Sequence, residues 1–279
     1  MPNCSDFRRV DPVRPAAAYI GGKKQLAAAI VARIEAAPHR TYAEPFVGMG
    51  GVFLRRRFAP PSEVINDLSG DVATFFRILQ RHYVAFMDML KFQLTSRREF
   101  DRLVATDPAT LTDLERAARF LYLQRTAFGG KVAGRNFGVS PGLPGRFDVT
   151  KLAEILTALS ERLAGVVIEN LAYGEFIDRY DQAGTLFYLD PPYLGTEHFY
   201  GAGAFTRADF GRLAKQLEAI AGAFILTVND LPETRSIFSA FDQEQIGVTY
   251  TAAEGDAKRA SELIVSRVAT RKQATFSFD

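Results

Sequence analysis

Gly184-Thr185-Leu186-Phe187-Tyr188-Leu189, followed by Asp190-Pro191-Pro192-Tyr193, decides how this chain folds. The first six residues are apolar and aromatic and open on glycine, the pattern of a central strand buried on both faces of a parallel sheet. The strand ends on a carboxylate, two prolines and a ring. In open α/β sheets ligands bind beyond the carboxyl ends of the strands, so this tetrapeptide is predicted at a site mouth. The prolines fix φ and stop the ladder, holding Asp190 and Tyr193 in one relative geometry. An acceptor beside a flat apolar face suits a flat molecule carrying an amino group. A strand that merely stops at a Pro-rich turn with a capping Asp has the same local sequence.

The flanks repeat the strand-helix alternation of a doubly wound α/β sheet. Residues 41–46 read as a strand, then Glu44-Pro45-Phe46-Val47-Gly48-Met49-Gly50-Gly51 as a Gly-rich turn, and 52–58 as a helix start. Glycines there let a ligand touch main chain. The turn lacks the terminal Lys-Ser or Lys-Thr of a phosphate-cradling loop, which disfavours an NTPase. Residues 63–65 form the next strand and end in Asn66-Asp67. Asp67 follows Gly50 by 17 positions, near the ~20-residue spacing of the acid that binds ribose hydroxyls in such folds. That spacing points to an adenosyl ligand, although Asp67 could also cap a helix beginning near residue 70.

Upstream, Tyr19-Ile20-Gly21-Gly22-Lys23 leads into an Ala-rich helix over 25–37. Lys23 stands at the helix entrance, where the macrodipole disfavours a cation, so a role in binding would offset the penalty. Residues 71–125 read as helical throughout, with a basic, exposed character around Lys91 and 96–100. Residues 125–146 fit no regular element; they are rich in glycine and hold Arg125, Phe128, Lys131, Arg135 and Asn136. A long irregular stretch with basic and aromatic residues suits a loop gripping phosphates and touching bases, or a solvated linker. Further on, 152–163 read as a helix and 166–171 as a buried strand ending near Asn170. Residues 197–203 are a candidate lid, Thr206 with Asp209 a helix-capping pair, 223–228 a strand, and 241–250 with 262–269 a closing hairpin whose loop holds Lys258 and Arg259.

Composition bounds the rest. Hydrophobic residues make up 47% of 279, enough for a sizeable core, and the net charge of +2 leaves nucleic-acid contact to a local patch. Cys4 is the single cysteine, so neither a disulfide framework nor a multi-cysteine zinc site is expected, and the three histidines lack metal-ligand spacing. No apolar run reaches the ~18–20 residues of a membrane span, and the first 15 residues contain no signal-peptide core. A cytoplasmic protein without metal is expected.

In their order, Tyr19-Ile20-Gly21-Gly22-Lys23, Glu44-Pro45-Phe46-Val47-Gly48-Met49-Gly50, Asn66-Asp67 and Asp190-Pro191-Pro192-Tyr193 resemble the motifs of Dam-type DNA adenine-N6 methyltransferases. Phe205-Thr206 and Glu262-Leu263-Ile264-Val265 are similar to the late motifs of that family. The resemblance covers about residues 16–268. It implies a Rossmann-like methyltransferase domain over 16–70 and 148–270, with a helical target-recognition insert over 71–147. It also implies S-adenosyl-L-methionine as cofactor, contacted by Tyr19, Lys23, Glu44, Phe46, the Gly48–Gly50 turn, Asp67, Asn170 and Asp190. Catalysis falls to Asp190, Pro191, Pro192 and Tyr193 acting on an adenine flipped out of double-stranded DNA by a monomeric enzyme. Arg125, Phe128, Lys131, Arg135 and Asn136 would hold the DNA. The family often has asparagine before glycine in the base-reading segment, where this chain has Gly129, a departure that bears on the recognised sequence. Methylation of cytosine N4 or of adenine in RNA would use the same pocket chemistry, and an inert DNA-binding relative is the reading from another class. A protein-glutamine methyltransferase is disfavoured because that chemistry usually accompanies Asn at position 190.

Overall fold

The computed structural model describes residues 7–268, apart from 20, 24, 133, 139–141, 143, 197–204 and 251–257. The predicted lid over 197–203 therefore lies outside the described residues, as does Cys4. In chain order the elements are β1 (Arg8–Arg9), α1 (Ala27–Ala36), β2 (Thr41–Glu44), β3 (Phe58–Ala59), β4 (Ser62–Asn66), α2 (Gly70–Arg81), α3 (Tyr83–Leu90), α4 (Arg97–Ala105) and α5 (Asp113–Thr126). They continue with α6 (Val149–Arg162), β5 (Val167–Glu169), α7 (Tyr173–Tyr180), β6 (Thr185–Leu189), α8 (Arg207–Ala219), β7 (Ala223–Asn229), α9 (Pro232–Ile237), β8 (Asp242–Tyr250) and β9 (Lys258–Arg267).

Seven strands form one sheet in the order β5-β4-β2-β6-β7-β9-β8. The first five are parallel, while β9 runs antiparallel to both β7 and β8. All five residues of β6 are buried, as its apolar sequence requires of a strand with neighbours on both edges. The carboxyl ends of β2, β4 and β6 lie side by side, so Glu44, Asp67 and Asp190 emerge along one rim.

The helical segment between β4 and β5 is not detached from the sheet. Phe75 of α2, Phe86 of α3 and Phe120 of α5 share one apolar core with Ile65 of β4 and Tyr188 of β6. Helix α5 begins with a reciprocal cap in which Thr112 and Glu115 satisfy each other's backbone N–H groups.

Several expectations are corrected. Residues 71–125 are four helices with breaks at His82, 91–96 and 106–112 rather than one run. Phe100 is buried, because α4 turns it inward while Arg97 and Arg98 face solvent. Residues 52–58 form a single 3₁₀ turn at Phe53–Arg55 and then β3, since β3 is recruited by β1 in an antiparallel pair. Strand β5 is an edge strand with Val167 exposed, not a buried one, because only β4 pairs with it. Lys258 and Arg259 belong to β9, opposite Tyr250 and Thr249, rather than to a loop. Helix α8 opens as expected, with the Asp209 carboxylate accepting from the Thr206 N–H at 2.8 Å and its hydroxyl at 2.6 Å.

Candidate active site

The glycine turn after β2 is shaped by backbone geometry. Gly48 has φ +51°, and a Cβ there would stand 3.0 Å from the Tyr19 ring. Its N–H donates to Asp67 Oδ2 at 2.9 Å, while Asp67 Oδ1 accepts from the Ser69 N–H at 2.9 Å. Asp67 thus ties the turn after β2 to the start of α2. Asn170 supports the same corner from β5's end by donating to the Asp67 and Leu68 carbonyls.

Beyond this rim opens a cleft of about 830 Å³, in the size range of small-molecule sites. Of the residues singled out from sequence, Tyr19, Lys23, Glu44, Phe46, Gly48, Asp67, Asp190, Pro192 and Arg125 line it. Gly50, Asn170, Pro191 and Tyr193 do not line it. Gly50, at φ +75°, closes the turn against Leu54. Phe46 and Tyr173 sit with ring centroids 5.6 Å apart, giving one wall two flat faces.

Glu44 is buried, and Asp67 and Asp190 are half-buried at the cleft floor. Burial pushes the Glu44 carboxyl up to about 8, opposed by the 2.5 Å hydrogen bond from the Tyr42 hydroxyl and reinforced by the charges of Asp190 and Asp67. Asp67 is raised to about 6 by burial, against the two N–H groups that favour its ionised form. Asp190 is raised to about 6, first by burial; Lys23 pulls it down and Glu262 pushes it up. Lys23 Nζ lies 2.6 Å from Asp190 Oδ1. The Thr227 hydroxyl donates to the same oxygen at 3.0 Å. Among the described residues no donor is recorded at Asp190 Oδ2.

These shifts give a stability prediction. All three carboxyls bind protons more tightly folded than unfolded, so the stability they confer is full below about pH 4 and is lost as pH rises through 6 and then 8. Tm of the ligand-free protein is expected to fall as pH is raised from 5 to 9. Between 7 and 8.5 Glu44 alone of the three still titrates, and Glu44→Gln should flatten that part of the curve in scanning calorimetry.

Lys23 is legible from its place after Gly-Gly and Glu262 from its late motif, but the partners that Thr227, Tyr173 and Glu262 meet are not. Their contacts with Asp190, Phe46 and Tyr193 cross between distant elements and leave no local pattern. The residues expected on DNA are placed differently from one another. Phe128 and Asn136 are exposed and Lys131 is half-buried. The Arg125 guanidinium donates to the Ala16 and Arg146 carbonyls, and Arg135 to the Lys131 carbonyl. The irregular segment folds back on itself, with Phe128 N–H donating to Asn136 O and Gly138 N–H to Thr126 O. Among the described residues, no group of three or more His, Cys, Asp or Glu is placed to hold a metal ion. No helix among them is long and apolar enough to cross a membrane.

A mostly parallel sheet with its antiparallel last pair, a glycine turn and an acid-Pro-Pro-Tyr rim fit an enzyme that acts on a flat molecule carrying an amino group. Residues 19–252 match the D12 class N6 adenine-specific DNA methyltransferases, and the chain belongs to that family. It is 27% identical to the type II methyltransferase M1.LlaDCHI of Lactococcus lactis subsp. cremoris, over 91% of this chain and 95% of that protein. It is 27% identical to the DNA adenine methylase of Vibrio cholerae, over 86% and 90%, and 24% identical to the retron Ec67 DNA adenine methylase of Escherichia coli, over 88% of each. The reaction is therefore N6 methylation of adenine in DNA, and the cytosine-N4 and RNA alternatives fall away.

Proposed function

We propose that this adenine-specific DNA methyltransferase takes its methyl group from S-adenosyl-L-methionine bound in the cleft, and acts as a cytoplasmic monomer on an adenine flipped out of the duplex. The observation that carries the reading is the convergence of Glu44, Asp67, Asp190 and Lys23 on one cleft at the ends of β2, β4 and β6. Asp67 and Asp190, ionised at neutral pH, suit a ligand that carries a sulfonium and an ammonium. Asp67 would take the ribose hydroxyls, Phe46 and Tyr173 offer faces to the adenine ring, and Gly48 leaves room beside Tyr19. Residues 16–70 and 148–270 would form the catalytic unit and 71–147 the target-recognition unit.

The cofactor supplies an electrophilic methyl group. The chain's part is positioning and electrostatics. Flipping costs a few kcal/mol, offset in part by stacking on Tyr193, worth ~1–3 kcal/mol. The target amino nitrogen is a weak nucleophile because its lone pair is delocalised into the ring. Its two N–H groups would donate hydrogen bonds to Asp190 and the Pro191 carbonyl, which localises the lone pair. Asp190 would hold that lone pair toward the cofactor's methyl group and would take the amino proton that the transfer releases. Cys4 lies outside every motif, so no covalent enzyme intermediate is invoked.

The test is transfer of labelled methyl from S-adenosylmethionine to unmethylated bacterial DNA, followed by nucleoside separation and mapping. Label in N6-methyladenine supports the reading and gives the recognition sequence. No label, in a protein that binds the cofactor, points to an inert DNA-binding relative.

Lys131, Phe128 and Asn136 would touch DNA directly, while Arg125 and Arg135 would shape the segment that carries them. Lys131→Ala should reduce the slope of log K against log salt by about 1 with Tm unchanged. Arg125→Ala should lower Tm as well, because two carbonyls lose their donor.

A further inference from the structure

The Glu262 carboxylate is buried, with its side chain 4% exposed, at the head of the segment where β9 pairs with β7. It accepts a short hydrogen bond from the Tyr193 hydroxyl. Its Oε2 also lies 3.9 Å from Lys23 Nζ. The Lys23 ammonium in turn sits 4.5 Å from the Tyr193 ring centroid and 2.6 Å from Asp190 Oδ1. Glu262 therefore meets the Tyr193 phenol and attracts an ammonium that itself pairs with the acceptor carboxylate and lies over the Tyr193 ring.

Its register partner on β7 is Asn229. The Asn229 amide clamps the next residue of the same turn, accepting from Leu194 N–H at 3.2 Å and donating to Leu194 O at 2.9 Å. Thr227, two residues earlier on β7, donates to Asp190. Adjacent strands thus hold the tetrapeptide at three points: its carboxylate, its phenol and the backbone just beyond it. Two prolines restrict the backbone between those points, but nothing in Pro191-Pro192 fixes the Tyr193 side chain. The phenol is tied down by Glu262, and the Lys23 ammonium lies over the ring.

We propose that Glu262 is a positioning residue for the target base: it fixes the Tyr193 ring through the phenol and, by attracting Lys23, sets where the ammonium stands relative to Asp190. The inference rests on the reading of Tyr193 as the stacking ring and of Asp190 as the acceptor. A carboxylate is suited to the task because it accepts from the phenol and attracts the ammonium at once. Gln keeps an acceptor oxygen but removes the charge, and Phe at 193 keeps the ring but removes the hydroxyl.

The test compares wild type, Glu262→Gln, Tyr193→Phe and the double variant on DNA carrying one mapped site. Methyl transfer, cofactor affinity by calorimetry and thermal unfolding are measured for each. Base placement is read from the fluorescence of 2-aminopurine at the target position. The expected result is a roughly 10- to 100-fold loss of kcat/KM for DNA in each single variant, with cofactor affinity held within about twofold. The 2-aminopurine signal should change in both. The double variant should lose less than the product of the single losses, because the two side chains act through one contact. Tyr193→Phe keeps the inference open to refutation if Glu262→Gln does not fold. Unchanged kcat/KM and fluorescence in a folded Glu262→Gln or in Tyr193→Phe would overturn it, as would fully multiplicative losses. An inactive wild type would overturn the reading beneath it, whereas an active wild type with indifferent variants removes this inference alone.

Discussion

Asp190→Ala abolishes methyl transfer, with a loss of about 10³-fold or more, in the upper range for deleting a single polar group aimed at the reacting centre. The expectation rests on how the carboxylate is held. Lys23 and Thr227 both meet Oδ1, which orients the group. Removing it leaves the target amine without its charged acceptor. Among the described residues Lys23 then keeps the Gly21 carbonyl at 3.1 Å, the face of the Tyr193 ring and the more distant Glu262. Because that rearrangement could lower stability, Asp190→Asn is the cleaner variant: it preserves shape but turns a donor toward the amine. Both should lose transfer in a labelled-methyl assay. Substantial methylation by a folded Asp190→Asn protein would remove Asp190 from the mechanism. In the wild type only ionised Asp190 offers a charged acceptor that can take the amino proton, and burial raises it to about 6. The rate at limiting DNA should therefore drop on acidification below about pH 6.

Glu63→Ala unfolds the protein far more readily, by about 3–5 kcal/mol, the range for breaking a buried ion pair. Glu63 on β4 is 7% exposed and accepts from Arg56, and from Arg162 through both oxygens at 2.7 Å. Burial alone would raise its carboxyl, but the hydrogen bonds from Arg162 and the charge of Arg56 outweigh that and lower it. Without Glu63 two buried guanidinium groups face each other unpaired. Each degree of instability is readable, since 1 kcal/mol moves Tm by roughly 2–4 °C in chains of this class, so Tm should fall by roughly 10 °C. An apolar trio of similar volume, Arg56→Met with Glu63→Leu and Arg162→Met, should cost much less. If Glu63→Ala melted with the wild type, the triad would have no structural role. Effects should also reach the cleft. Arg56 stacks over the Tyr42 ring, 3.6 Å from its centroid, and Tyr42 bonds Glu44.

These two sites differ in how far sequence revealed them. Strand β6 and its rim were legible because an apolar run ending in Asp190-Pro191-Pro192-Tyr193 encodes its own burial and its own stop. The Thr206–Asp209 cap was legible for the same reason, since both partners lie within four residues. The Glu63–Arg162 pair spans 99 positions, Tyr193–Glu262 spans 69 and Thr227–Asp190 spans 37. No local spacing encodes such contacts; they exist only once the sheet order is known. Residues 52–58 misled for a related reason. Their composition suits a helix, but pairing of Phe58–Ala59 with Arg8–Arg9 overrides it.

The position of β9 has a consequence during synthesis. It is made after β7 and β8 yet lies between them. Until residues 258–267 have left the ribosome, β7 keeps an open edge and β8 has no partner in the sheet. Glu262 and the register beside Asn229 arrive with that late strand. A nascent chain can thus form the glycine turn and present Asp190 while the Tyr193 hydroxyl still lacks its acceptor. The rim can mature only after β9 has been made, and polypeptides released before residue 258 would carry the motifs without the finished geometry.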